Sequence, residues 1–133
     1  MDNCYCNSTQ SFAECCKSYI EGQVAAPTPE ALMRSRYTAY CLKNMDYLFS
    51  SIDPQARNQT DWKAARQWAD TATFTGLEII KTSIDGNKGM VEFKASYTSP
   101  GETGEAQDHV HHEVSKFRKQ SGVWYFREGK VLG

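Results

Sequence analysis

The run from Thr28 to Ile52, TPEALMRSRYTAYCLKNMDYLFSSI, constrains the fold more than any other stretch, because its punctuation dictates where helices start and stop. Thr28 suits an N-cap. Pro29 suits the first helical position, where its missing N–H would be unpaired in any case, and Glu30 complements the positive helix start. The helix that follows carries an apolar stripe of Met33, Tyr37, Tyr40 and Cys41 at helical spacing, with Arg36 and Lys43 on the other side. Asn44 fits a left-handed C-cap, Asp46 a fresh N-cap, and Leu48, Phe49 and Ile52 a second short stripe, so two helices with a sharp break between them are expected. Both stripes need a surface to lie against.

The second half of the chain supplies one. Asp53-Pro54 ends the second helix, and after a polar loop Thr60 can cap a third that carries Trp62, Ala65, Trp68 and Ala69. The two tryptophans read as core or lid. Leu77 to Ile84 then reads as a strand, Asp85 to Gly89 as a turn, and Met90 to Thr98 as a second strand in which Val91, Phe93, Ala95 and Tyr97 alternate with polar residues. Ser99 to Gln107 reads as a longer loop, Asp108 to Lys119 as a third strand, Gln120-Ser121-Gly122 as a turn, and Val123 to Arg127 as the last strand. Consecutive strands joined by turns predict a curved antiparallel sheet with three helices on one face, an α+β fold. At 133 residues and 40% hydrophobic content the chain can bury one core. The expected organisation is one α+β domain over residues 28–133 and an appendage over 1–22. Glu21 to Pro27 is too short a link to let the appendage roam, so it should dock.

That appendage holds four of the five cysteines. Cys4-Tyr5-Cys6, eight residues, then Cys15-Cys16 offers the four ligands of a closed tetrahedral zinc site, which makes a structural Zn2+ the expected cofactor. The N–H groups of a short helix opened by Cys15 and Cys16 would help offset the negative Zn–thiolate centre, and Asn7, Ser8, Thr9 and Gln10 suit the intervening turn. Paired disulfides and free redox thiols are the competing readings, and neighbouring cysteines are poorly placed to bridge each other. Cys41, on the helical stripe, reads as a small buried hydrophobe. With 15 basic and 16 acidic residues, a net charge of −1 and no Lys/Arg block, nucleic acid is disfavoured as a ligand. No long apolar run or signal peptide stands out, so a cytosolic protein without a membrane partner is expected.

The first sixteen residues resemble the SEC-C motif, the zinc knuckle found at the C-terminal end of the SecA translocation ATPase, whose pattern is Cys-x-Cys, eight residues, then Cys followed by Cys or His. All four ligand positions match; Tyr5 replaces the usual proline, and Asn7, Ser8 and Thr9 replace a glycine-rich turn. Further on, Thr28-Pro29-Glu30-Ala31-Leu32-Met33-Arg34-Ser35-Arg36-Tyr37 with Ala39-Tyr40, Gly76-Leu77-Glu78-Ile79, His112-Glu113-x-Ser115-x-Phe117 and Gly122-x-Trp124-Tyr125 resemble the YchJ family of bacterial proteins. This resemblance implies a SEC-C knuckle attached to a domain similar to nuclear transport factor 2 (NTF2), a cone of helices packed in a curved sheet, and it carries no established biochemical activity. Some members bear a second knuckle at the C-terminus, which is not expected here.

Two functions stay open. The resemblance implies a protein-interaction module, and a closed Cys4 site offers no open coordination position, so the expected reading is a non-catalytic zinc protein with an unidentified protein partner. The alternative is a small-molecule binder or enzyme using the interior of the cone, with a pocket formed from Arg34, Tyr37, Tyr40, Tyr97, His112, Glu113, Ser115 and Trp124. Strand alternation places His109 and His111 on the face of Glu113, Ser115 and Phe117, with His112 on the other; the resemblance supplies His112 and Glu113. Glu113 is expected to pair with Arg34 or Arg36 inside the domain. No complete catalytic set is visible.

Overall fold

The computed structural model describes residues 4–6, 8, 10–59 and 61–132. A single 3-10 turn at Phe12–Glu14 precedes α1 (Lys17–Ile20), α2 (Pro29–Leu42) and α3 (Met45–Ser50); a second 3-10 segment, Pro54–Gln59, leads to α4 (Trp62–Thr71). Four strands follow, β1 (Thr73–Asp85), β2 (Lys88–Pro100), β3 (Ala106–Gln120) and β4 (Val123–Val131), paired antiparallel in sequence order. The helices and sheet make the expected α+β architecture. Among the described residues no helix is long and apolar enough to cross a membrane.

α2 starts as its sequence dictates: Thr28 Oγ1 accepts from Ala31 N at 3.0 Å, and Pro29 occupies the first turn. Its end differs from expectation. Lys43 takes the left-handed position (φ 58°), and Asn44 serves instead as N-cap of α3, its Oδ1 accepting from Tyr47 N at 3.0 Å. One side chain cannot do both jobs, and Asp46 falls into the first turn of α3. Thr60, the expected cap of α4, lies outside the described residues. Asp61 caps that helix through Ala64 N at 3.0 Å.

The larger departure is burial around α2. Leu32, Met33, Ser35, Arg36, Tyr37, Thr38 and Ala39 are all buried, so the helix is covered on more than one side. Arg36, which lies opposite the apolar stripe by helical spacing and was also offered as a buried partner for Glu113, is only 6% exposed. One side of α2 packs on the sheet, against Val91, Phe93 and Ala95 of β2, Phe117 of β3 and Trp124 of β4, in the same core that takes in Cys4, Cys6 and Cys16. Gly89 makes the close approach possible, since a Cβ there would overlap the Pro29 ring and lie 3.3 Å from Trp124. In α3, Leu48 is buried as its stripe requires, whereas Phe49 is 45% exposed and packs on Trp62 at 5.1 Å between ring centroids.

The strands run longer than the alternation alone suggests. β1 begins at Thr73, so Phe74 belongs to the sheet; β4 continues to Val131; and the β2–β3 loop shrinks to residues 101–105. Irregular chain is also stitched to the sheet. Phe126 N donates to Ser51 O and Asp53 N donates to Phe126 O, each at 2.8 Å, so the segment after α3 pairs with β4 in parallel.

Asp53 locks that seam. It is fully buried, and its carboxylate accepts from Gln55 N at 3.0 Å, Gln120 Nε2 at 2.7 Å and Arg127 Nη1 at 3.1 Å. Burial pushes its pKa up, but these three donors outweigh it and hold the carboxyl below its ordinary value. Asp53→Ala should therefore cost about 2–4 kcal/mol at neutral pH. Because the folded pKa is depressed, the contribution is complete above the ordinary value of 3.8 and is lost as pH falls through the folded one. Urea melts should show a wide gap between wild type and variant at pH 7 that closes in acid. A gap unchanged at low pH would mean that the ionised carboxylate is not what holds the seam.

Candidate metal centre and interior cavity

α2 positions two clusters on opposite sides. On the first, Cys4, Cys6, Cys15 and Cys16 converge: their Sγ atoms all lie within 4.8 Å of one another, with Cys6–Cys15 at 3.6 Å and Cys15–Cys16 at 3.7 Å. The four form a cluster that could hold a metal ion. All five cysteines of the chain are unbridged. Local structure explains the convergence. Cys4 N donates to Gln10 O at 2.7 Å, closing the turn, and Ser11 caps the 3-10 turn that delivers Cys15 and Cys16. Of the turn residues named in the sequence, Asn7 and Thr9 lie outside the described residues; Ser8 Oγ donates to Cys15 Sγ at 3.2 Å.

The cluster is seated on α2. Arg34 Nη1 donates to Cys6 O at 2.8 Å and approaches Cys6 Sγ at 3.9 Å, while its Nε donates to Glu30 at 2.9 Å. Cys4 Sγ lies 3.8 Å from Thr38 Oγ1. Arg34 is thus a knuckle residue, and the interior pocket expected to include it does not. Electrostatics within the cluster are unequal. The Cys16 thiol donates to the Cys6 sulfur, which pulls Cys6 down to about 4 and pushes Cys16 up, and burial pushes Cys15 up to about 11. One thiolate is favoured among these three, because several anions in one buried site repel one another unless a cation joins them.

On the second side, α2, α4 and the inner face of the sheet enclose a cavity of about 140 Å3. Tyr37, Tyr40, Glu113 and Ser115 line it as the sequence suggested, joined by Arg36, Trp62, Trp68, Phe74, Phe93, His111 and Phe126. The rings interlock: Trp68 lies 5.1 Å from each of Tyr40, Phe74 and His111. Three expected members sit elsewhere. His112 points to the opposite face and meets Glu92 at 2.8 Å, as alternation along β3 requires. Trp124 is buried beside Gly89 and Pro29, and Tyr97 packs behind Trp68 and stacks on His109 at 5.0 Å.

Glu113 is held by its own strand rather than by an arginine. His111 Nε2 lies 2.8 Å from its Oε1, and Ser115 Oγ donates to its Oε2; both are two residues away and share its face. Burial pushes the Glu113 pKa up, but those bonds and the field of Arg36 win and hold it below the ordinary range. Gly129 on β4 leaves room for the carboxylate, since a Cβ there would overlap it. Arg36 makes a different set of contacts. Its Nη1 donates to Leu48 O at 2.9 Å and to Ser51 Oγ, and its guanidinium lies 4.4 Å from the Phe126 ring centre. The expected Glu113–arginine pair is therefore replaced by local bonds for the acid and by bonds to the Leu48 carbonyl and the Ser51 hydroxyl for the base. Phe74 and Phe126 were not read from sequence as pocket residues, and Arg36 was offered only as a partner for Glu113; the alternation of Phe74 with Thr73 and Thr75 was the available signal for the first.

This fold and the paired cysteine couplets define a class, a helix-filled α+β cone with a cysteine knuckle at its edge. A family model described as YchJ, middle NTF2-like domain, matches residues 28–129, and the chain belongs to that family. A UPF0225 protein of Geobacter sulfurreducens is 40% identical over 129 residues, covering 95% of this chain and 77% of that one. The solution structure of a SEC-C motif containing protein from Rhodopseudomonas palustris superposes with a TM-score of 0.89 at 39% identity, covering 99% of this chain and all of that one. The crystal structure of a SEC-C motif containing protein from Psychrobacter arcticus does so with a TM-score of 0.78 at 28% identity, covering 100% of this chain and 84% of that one.

Glu113→Gln keeps size and an acceptor oxygen while removing the charge that faces His111 and Arg36. The expected loss is roughly 1–2 kcal/mol at pH 7, less than breaking a direct arginine pair would cost. Since folded Glu113 is held low, that contribution is complete above its ordinary value of 4.5 and fades as pH falls through the folded value, so melts of wild type and variant should converge in acid. A loss above about 3 kcal/mol would restore a direct Glu113–arginine pair.

Proposed function

We propose that this protein is a non-catalytic, cytosolic zinc protein in which Cys4, Cys6, Cys15 and Cys16 hold one structural Zn2+ and the knuckle so fixed presents a surface to a protein partner. The observation that carries the reading is the mutual approach of the four sulfurs within 4.8 Å. Zn–S bonds of about 2.3 Å arranged tetrahedrally require sulfurs about 3.8 Å apart, close to the 3.6 and 3.7 Å of the Cys6–Cys15 and Cys15–Cys16 pairs. Four thiolates complete the coordination of zinc, so its chemistry here is to cross-link the knuckle and leave no position for a substrate. Arg34 then offsets part of the excess negative charge from the α2 side.

An open cleft of about 450 Å3 beside the cluster, lined by Ser8, Gln10, Tyr19, Glu30 and Arg34 among others, supports the partner-binding half of the reading. It offers donors, acceptors, both charge signs and a tyrosine, the mixture found at the rims of protein interfaces. That two structures superposing on nearly the whole chain are described as SEC-C motif containing proteins also supports the reading.

Native mass spectrometry of the reduced protein should find one zinc per chain. Cys16→Ser should lower that occupancy at least tenfold and loosen amide protection through residue 23, yet leave the sheet protected, because the larger core supplies its own burial. Acid should release the metal, since each ligand must be deprotonated to bind. Protein bound by the wild type and retained equally by zinc-free Cys16→Ser would remove the partner-surface half; a reduced, metal-free wild type with full amide protection in residues 4–23 would remove the zinc half.

A further inference from the structure

Arg36 is an expensive residue where it stands. It is 6% exposed, no carboxylate forms an ion pair with it among the described residues, and only its Nη1 has a hydrogen-bond partner. Its Nε–H and Nη2–H remain. Among the described residues no fully enclosed side-chain nitrogen or oxygen lacks a partner, so these two groups are not sealed off, and Arg36 lines the cavity. They form the edge of the guanidinium whose parallel N–H bonds suit a planar acceptor. Phe126 behind the plane and the Leu48 carbonyl at Nη1 fix its orientation. The site is built before any ligand arrives.

Glu113 stands in the same wall. A cavity of about 150 Å3 takes one benzene ring, so the groups lining one of 140 Å3 are within the reach of a single-ring molecule. Each carboxylate oxygen of Glu113 accepts one bond, from His111 or Ser115, which leaves lone pairs for a donor. The cavity already contains one guanidinium and one carboxylate. A bound anion would meet Glu113 and a bound cation would meet Arg36, each in a poorly solvated place where like charges cost most. Trp68, Tyr40, Phe74 and Phe93 complete the wall with aromatic surface that favours a flat guest.

We propose that this cavity binds a small, neutral, planar molecule that presents a carbonyl acceptor beside an N–H donor, such as a primary amide or lactam on a single ring. Its carbonyl sits on the Nε/Nη2 edge of Arg36, its N–H on Glu113, and its ring against Trp68 and Phe74. The proposal is independent of zinc: the cavity lies on the other side of α2 from the knuckle, and loss of either site leaves the other to be tested.

Three isosteric probes decide it on the full-length wild type: benzamide, benzoate and benzamidine are one shape with neutral, negative and positive heads. Titrations followed by amide and indole NMR shifts should show saturable benzamide binding, with shifts centred on Arg36, His111 and Trp68, at least tenfold tighter than either charged probe. Glu113→Gln should weaken benzamide at least fivefold and narrow its advantage over benzoate, because the repelling charge is gone. Arg36→Met should abolish the preference; should that variant not fold, Glu113→Gln and the wild-type series carry the test alone. Benzoate or benzamidine binding as tightly as benzamide would overturn the proposal, as would shifts centred outside the cavity or the absence of saturable binding by all three.

Discussion

The structure depends on a helix that is covered on more than one side. α2 lies in the sheet with Met33 and Tyr37 and against the cysteine knuckle with Arg34 and Thr38, so both clusters of interest are referenced to one rigid element. Successive helical residues are about 100° apart, so two positions carry a side chain roughly to the opposite side. Arg34 and Arg36 differ by that step. The first reaches the Cys6 carbonyl and the second turns into the interior, and one helix thereby supplies a guanidinium to each side. A surface helix has no use for such an arrangement, which is why burial on two sides matters more here than the modest amphipathicity of the sequence.

The charges inside the cone follow from local geometry. Residues two apart on a strand share a face, so His111, Glu113 and Ser115 form a bonded row within β3 that needs no other element. Arg36, approaching from α2, finds its bonds in α3 and its C-cap, at Leu48 and Ser51. Each charge is thus held by its own neighbourhood and feels the other only through space. A bonded Glu113–arginine fork would have filled the interior with a closed ion pair; separate anchoring leaves a cavity with a donor edge and an acceptor in its wall.

Most of the architecture was legible in sequence because it is written in local rules. The Thr28-Pro29 start of α2, the break near Asn44 and the alternation through Val91, Phe93 and Ala95 each depend on neighbours a few residues away, and the structure follows them. The cysteine couplets were legible as a cluster for the same reason. What stayed hidden depends on distant partners. Periodicity set Arg36 opposite the apolar stripe and the pairing argument offered it Glu113, because the groups that receive it, the Leu48 carbonyl, Ser51 and the Phe126 ring, are twelve or more residues away. His112 was drawn into the pocket by resemblance although its strand parity assigns it to the opposite face, where Glu92 receives it. Lys43 was passed over as a left-handed cap because its side chain gives no reason to adopt positive φ, whereas Asn44 had a second use one residue on.

The two clusters share a helix, yet their stabilities rest on different terms. The knuckle is a short segment with one 3-10 turn and the four-residue α1, so its order comes from what its cysteines bind and from Arg34 and Thr38. The cone is held by a four-stranded sheet, by burial of Leu32, Met33, Val91, Phe93 and Phe117, and by the Asp53 seam between the α3 exit and β4. Cys4, Cys6 and Cys16 join that same core, but the strand ladders and the Asp53 seam do not involve them. Opening the knuckle would expose Arg34 and Thr38 to water, which solvates both readily, while Met33, Arg36, Tyr37 and Tyr40 would keep their seats over the sheet. Coupling between the two sides can pass through that shared core or through displacement of α2 as a body, and Pro29 locked over Gly89 at one end and the Lys43–Asn44 cap at the other oppose the displacement. The helix that joins the sites therefore also limits how far a shift at one is passed to the other.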